Sequence, residues 1–171
     1  MTGENELFKR IEQGDRHALQ ELISMYYPEI LRYCIWKAPD RYMAEDAAQE
    51  TFLKAIRYFD RYVHKGKFKS FLYQIAANTC IDMNRKKYLT DVGYEQLSKE
   101  TEYQESGFGE VDDDLQIRQM VAALPEEWQE IVILRYAQEL SMREIAQIVH
   151  LPLRTVQSRL RLALKKLREG G

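Results

Sequence analysis

An all-α fold, with two small helical domains joined by a flexible acidic linker, follows from three observations. Aliphatic and aromatic residues recur three and four positions apart along most of the chain, and strand-like alternation is scarce. The 171 residues, 45% of them apolar, suffice for one domain of ordinary size or two small ones. Charge divides them. Residues 1–89 hold 15 Lys and Arg against 12 acids, residues 90–114 one Lys against nine acids, and residues 115–171 nine bases against six acids. A net charge of −2 thus conceals two mildly basic blocks flanking an acidic strip.

The spacing predicts a short first helix near Asn5–Gln13, stopped by Gly14, with Asp15 as N-cap of the next. A long stretch from Arg16 to Trp36 follows, carrying Ala18, Leu22, Tyr26, Ile30 and Tyr33 on one side. Pro28 lies inside it and lacks a backbone donor, which predicts a kink or break. Further helices are expected at about Tyr42–Tyr62, with Ala48, Phe52, Ile56 and Phe59 inward, and at about Phe68–Lys87, with Phe68, Phe71, Leu72, Ile75 and Ala76 inward. Residues 88–113 change to Glu, Asp, Ser, Gly and Gln, a composition that buries little and repels itself. The domains are accordingly expected at 5–89 and 114–169, with the linker at 90–113.

The second domain carries the sharpest pattern. Pro125, Glu126 and Glu127 suit a helix start, and Ile131 to Leu134 are four consecutive apolar residues, expected to be buried on more than one side. Ser141 and Glu144 have capping-box spacing, and Leu140 with Ile145 fits the hydrophobic staple. The short helix they open has Met142, Ile145, Ala146 and Val149 as its inner face, His150 falls in the turn, and Pro152 interrupts.

The last helix, from about Leu153 to Arg168, is split into an apolar stripe of Val156, Leu160, Ala163, Leu164 and Leu167 and a polar, basic face of Arg154, Gln157, Ser158, Arg161, Lys165 and Arg168. Residues 150–169 hold six bases and one acid. A capped short helix, a tight turn and a basic helix describe a helix-turn-helix, whose second helix reads base edges in the major groove. An amphipathic helix with a solvated basic face is the plainer alternative for the last helix taken alone.

Several function classes are excluded. The cysteines, Cys34 and Cys80, form no CxxC and have no His at ligand spacing, so buried reduced thiols are expected and no metal or cofactor. There is no phosphate-binding glycine loop and no nucleophile with a matching base, hence no enzyme and no small-molecule substrate. An acidic N-terminus without an apolar stretch, and no long apolar run, point to a cytoplasmic protein without membrane insertion.

The order of these motifs resembles a known family. Leu124-Pro125-Glu126 through Leu140-Ser141 to Thr155-Val156-Gln157-Ser158-Arg159-Leu160 is similar to region 4, the −35 binding domain, of extracytoplasmic-function sigma factors. Gly14-Asp15-Arg16-His17-Ala18, the run Ala44 to Phe52, and Phe68 to Asn78 with Asp82, Arg85 and Lys86 resemble region 2 of the same family. Two positions depart from the family pattern, Arg154 in place of a frequent Gly and Leu162 in place of a basic residue.

The resemblance implies an alternative sigma factor that binds core RNA polymerase and directs promoter-specific initiation. Asp46, Gln49 and Glu50 share one helix face, and with Phe52 they would dock on the clamp helices of the largest subunit. For −10 DNA the resemblance implies a pocket near Asp60–Phe68, with Tyr62, His64, Lys67 and Lys69 in or beside it. Ser70, Tyr73, Gln74 and Asn78 would contribute from the following helix, and Lys54 and Arg57 would touch the backbone nearby. Stacking and hydrogen bonds there would offset the cost of flipping bases out. For −35 DNA it implies Arg154, Thr155, Gln157, Ser158, Arg159, Arg161 and Lys165. Phe59 and Phe71 are expected to pack the domain. An anti-sigma factor is a further expected partner. The alternative kept open is a stand-alone helix-turn-helix transcriptional regulator with a helical sensing or dimerisation domain.

Overall fold

A computed structural model describes residues 3–59, 67–91 and 112–170. Helix α1, Gly3–Glu12, has acids in its first turn and bases in its last, the order that suits the helix dipole. The chain turns at Gly14, whose φ of 94° suits glycine. Asp15 then caps α2, Arg16–Lys37, its Oδ1 accepting the His17 and Ala18 amides at 3.0 and 3.3 Å. The other oxygen accepts from Arg10 Nε at 3.0 Å, and this bond, with the amides, holds the carboxyl below its usual range.

Helix α2 buries Ala18, Leu22, Tyr26, Ile30 and Tyr33 as the spacing predicts. Of the kink or break expected at Pro28, no break occurs, and the helix runs through it. Both Pro28 and Ser24, whose carbonyl loses its amide partner, lie on the exposed side, where water can accept that bond. Helix α3, Arg41–Arg57, is capped by Asp40, which accepts the Met43 amide at 2.8 Å. Buried Ala44, Ala47, Ala48 and Ala55 let it lie close to its neighbours. It ends at Arg57 rather than Tyr62, with Tyr58 as C-cap, and Ile56 is exposed rather than inward.

Helix α4, Phe68–Asp91, extends past the expected end. Phe68 joins Phe8, Phe59 and Phe71 in an aromatic cluster with centroids 5.3–6.2 Å apart, so Phe59 and Phe71 pack the domain as expected. Ser70, Tyr73, Thr79 and Cys80 are buried on α4 as well, which the one-sided inner face did not include. Cys34 and Cys80 are free thiols with sulfurs 3.8 Å apart. Contact with Cys80 and burial push the Cys34 thiol up.

The second domain begins with α5, Asp112–Ala122, a helix the sequence reading lacked because its first residues share the acidity of the linker. Residues 92–111, expected as linker, and 60–66, where the −10 pocket is expected, lie outside the described residues. Helix α6, Glu126–Val132, starts after Pro125 and passes into a π-helical turn, Ile133–Ala137. Ile131, Val132, Ile133 and Leu134 are all buried, as four consecutive apolar residues demand. The wider turn ends with Gln138 N donating to Ile133 O, five residues back.

Helix α7, Met142–Val149, opens with the complete capping box: Glu144 N to Ser141 Oγ at 3.1 Å and Ser141 N to Glu144 Oε1 at 2.9 Å. Its buried residues are Ile145 and Ile148, whereas Met142, Ala146 and Val149 are half-buried, because α7 turns slightly from the expected face. His150, at φ 59°, ends α7 in the left-handed region. Helix α8, Leu153–Gly170, then buries Val156, Leu160 and Ala163 against the domain, and α6 and α7 both pack on it.

The two domains are not apart in this structure. Helix α7 packs on α4, and the π-helical turn packs on α2.

Candidate nucleic-acid interface

The polar face of α8 is presented to solvent. Arg154, Gln157, Arg161 and Lys165 are exposed, and Thr155 and Ser158 are half-buried beside them. The stripe of Val156, Leu160 and Ala163 fixes which way these side chains point, since it is wholly inward. Arg159 sits at the edge and pairs with Glu127 at 3.4 Å, a partly exposed contact that contributes little to stability. Leu162 is exposed within the basic face. A capped helix, a turn through left-handed His150 and an outward basic helix are the parts of a helix-turn-helix, a motif whose second helix can enter a major groove.

On the first domain, Asp46 and Gln49 are exposed and Glu50 half-buried, one turn apart on α3. They line a groove between α3 and α4 together with Leu53, Lys54, Asp82 and Lys86. Leu53 is an exposed apolar residue one turn beyond Gln49 and Glu50, and the spacing of four would have marked it. Phe52 is buried, its ring 5.7 Å from Tyr27, so it supports this face from beneath rather than lying on it. Lys54 is anchored by a 3.2 Å bond to Thr79 Oγ1.

The residues assigned to −10 DNA divide into three groups. Tyr62 and His64 lie outside the described residues. Arg57, Lys67 and Asn78 are exposed. Lys69, Ser70, Tyr73 and Gln74 face the second domain. Lys69 pairs with Glu144 at 3.4 Å, Ser70 Oγ donates to Gln147 Oε1 at 3.0 Å, and Gln74 Nε2 donates to the Gln147 carbonyl at 3.2 Å. Ser70 is 7% exposed and Tyr73 fully buried, so neither offers a surface in this arrangement. Tyr73 Oη donates to Glu29 Oε2 and accepts from Gln138 Nε2, both at 2.7 Å, and burial pushes its phenol up.

Further contacts join the domains. Glu130 accepts from Tyr33 Oη and Lys37 Nζ, and Arg118 donates to the Ile35 carbonyl with its guanidinium 4.5 Å above the Trp36 ring. Sequence reading missed Glu130, Gln138 and Gln147, because a polar residue on a helix carries no local sign of a partner in another domain. No group of three potential metal ligands occurs among the described residues, and none of their helices is long and apolar enough to cross a membrane.

Comparison with known proteins places these surfaces in a family. Residues 22–89 match the model of sigma-70 region 2, and residues 114–167 match that of sigma-70 region 4. The chain is 30% identical to the ECF RNA polymerase sigma factor SigW of Bacillus subtilis, over 94% of this chain and 92% of that protein. In fold it is similar to CnrH, solved in complex with the cytosolic domain of CnrY, with a TM-score of 0.73 at 17% identity, covering 98% of this chain and 96% of that one. The sigma factor RpoE of Bartonella quintana, solved with the anti-sigma factor NepR, gives a TM-score of 0.65 at 24% identity, covering 88% and 94%. The chain belongs to the extracytoplasmic-function sigma factors of the sigma-70 family, the alternative subunits that direct RNA polymerase to particular promoters.

Proposed function

We propose that this chain joins core RNA polymerase through the α3 face of Asp46, Gln49 and Glu50, docking on the clamp helices of the largest subunit. Leu53 adds apolar contact at the same groove. The second domain reads the −35 element with Gln157 and Arg161 on base edges and Arg154, Thr155, Ser158, Arg159 and Lys165 on the backbone. The first domain captures −10 bases with the segment around residues 60–67 and with α4, Asn78 included, while Lys54 and Arg57 hold phosphates. Opening of the duplex draws on binding energy alone, without nucleotide hydrolysis by this chain and without a cofactor. The protein works in the cytoplasm, and an anti-sigma factor, the kind of partner named for the RpoE structure, holds it inactive until a signal arrives.

The single observation that carries this reading is the coexistence, on one chain, of an outward basic recognition helix and an outward acid–amide face on a separate domain. A free-standing regulator needs only the first. The decisive experiment is in vitro transcription with core enzyme, this protein and a promoter library. Initiation at a sequence-defined subset is the expected result. A chain that neither associates with core nor changes the start sites overturns the reading.

A further inference from the structure

The chain has two cysteines, 46 positions apart, and the fold brings them face to face. Cys34 lies in the last turn of α2 and Cys80 in the middle of α4. Both are buried, and the Cys80 thiol donates to the Cys34 sulfur at 3.8 Å. No third metal ligand joins them among the described residues, which leaves the pair the chemistry of two facing thiols. A disulfide holds its sulfurs about 2.05 Å apart, so they must close by about 1.8 Å, within the swing of a sulfur about its Cα–Cβ bond.

The two thiols are not equivalent. Contact with Cys34 holds the Cys80 thiol below its ordinary range, with Lys37 helping and burial and Glu130 opposing. Cys80 is therefore the sulfur that ionises first and attacks, and Cys34 the one that resolves. The pair also lies one helical turn from a solvent-facing seam. The Cys34 carbonyl accepts the Ala38 amide at 2.8 Å, the bond that ends α2, and exposed Asn84, one turn beyond Cys80, donates to the Lys37 carbonyl at 3.1 Å. The last turn of a helix opens at smaller cost than its middle, so fraying here admits a small oxidant.

We infer that Cys34 and Cys80 form a two-electron redox site, which a hydroperoxide converts to an intramolecular disulfide and a dithiol returns to the reduced state. The Cys80 sulfur attacks the terminal oxygen of the hydroperoxide and the O–O bond breaks. The departing alkoxide takes up the proton that the thiol lost and leaves as an alcohol, or as water from hydrogen peroxide. The Cys34 sulfur then displaces hydroxide from the Cys80 sulfenic acid, and the hydroxide leaves as water with the Cys34 proton. Two thiols and one hydroperoxide thus give one disulfide, one alcohol and one water. Exchange with a dithiol reverses the step, the dithiol becoming a disulfide in turn.

The bond ties α2 to α4 and closes a loop over residues 35–79, which contains all of α3 and, on α4, Asn78. Closing a loop removes entropy from the unfolded chain, so the oxidised first domain resists unfolding more than the reduced one. In a reducing compartment such a bond lasts only while oxidant persists, so it braces the enclosed residues for that interval. That those residues serve polymerase and promoter rests on the function proposed above; the thiol chemistry does not.

The test treats the reduced full chain with hydrogen peroxide in native buffer, traps remaining thiols with N-ethylmaleimide in urea, and maps the peptides by mass spectrometry. With two cysteines in the chain, an intramolecular disulfide can only join Cys34 to Cys80. Both thiols are expected to disappear together into one linked peptide, and dithiothreitol to restore both. The urea midpoint of the oxidised chain is expected to rise by about 1–2 M, a typical disulfide contribution divided by a typical urea slope. Cys80→Ser, shown to be folded by far-ultraviolet circular dichroism, is expected to give no linked peptide and a midpoint that does not respond to peroxide. Should that variant fail to fold, the oxidised and reduced native chains carry the test by themselves. Thiols that stay open to alkylation, cysteines that gain only oxygen, or disulfide-linked dimers overturn the site. A linked chain whose midpoint is unchanged or lower overturns the brace. None of these readings involves polymerase or DNA, so their failure is distinct from failure of the transcription experiment that tests the proposed function.

Discussion

Gln138 donates its side-chain amide to the phenol oxygen of Tyr73 across 2.7 Å, and the Tyr73 hydroxyl donates in turn to Glu29 Oε2 at the same distance. One residue of the helix-turn-helix domain thereby completes a buried hydrogen-bond chain in the other. Tyr73→Phe removes both bonds while keeping the ring that packs 5.5 Å from Tyr33. The loss should cost about 1–3 kcal/mol of stability, read as a lower urea midpoint with an unchanged slope. An unaltered midpoint would show that the chain of bonds contributes nothing net.

The capping box of α7 makes a separate prediction. Ser141→Ala frees the Glu144 amide and leaves Glu144 with one partner fewer at the helix start. A loss of about 1 kcal/mol is expected. Thermal unfolding measures it, and Ser141→Thr should restore most of it.

Glu144 gives the arrangement a dependence on pH. Although burial raises its affinity for a proton, the Ser141 amide and Lys69 together hold the carboxyl below the ordinary value of 4.5. A lowered carboxyl contributes stability that is fully present above its unfolded value and is lost as pH falls through the folded one. The Lys69–Glu144 contact and the α7 cap should therefore weaken below about pH 4.5. The difference in denaturation midpoint between the native chain and Glu144→Gln should be constant from pH 7 to pH 5 and shrink below that, which a titration of midpoints checks.

On α8, Gln157→Ala or Arg161→Ala should weaken −35 recognition by about 1–3 kcal/mol if the side chain reads a base, and relax preference at one position. Lys165→Ala should instead lower affinity evenly across sequences and reduce the salt dependence. Selection of −35 variants with holoenzyme separates the two patterns. An unchanged preference removes a residue from readout.

On α3, Asp46→Lys with Glu50→Lys should abolish capture of core polymerase and leave helicity intact, since Asp46 is exposed and Glu50 half-buried, away from the buried Ala47, Ala48 and Thr51. Normal pull-down of core by this variant would contradict the docking face. Leu53→Asp tests the apolar part of the same groove by the same measurement.

The helices were legible from sequence because their causes are local. Asp15, Asp40 and the Ser141–Glu144 box bond amides two or three residues away, and the stripes of α2 and α8 repeat within one turn. The outward face of α8, and the acid–amide face of α3, follow from those stripes. Phe52 is buried, as the stripe of α3 predicts, and its place among the docking residues came from the family resemblance rather than from spacing. The sequence by itself thus determined the helices other than α5, the caps at Asp15 and Ser141, the two domains and the side of α8 that meets solvent. Only the tertiary structure decided that α2 continues through Pro28, that α6 widens into a π-helical turn, and that Ser70 and Tyr73 are covered. Those outcomes depend on contacts such as Gln138 with Tyr73 and Glu29, 65 and 109 residues apart in the chain, where no periodic pattern connects the partners and packing alone brings them together.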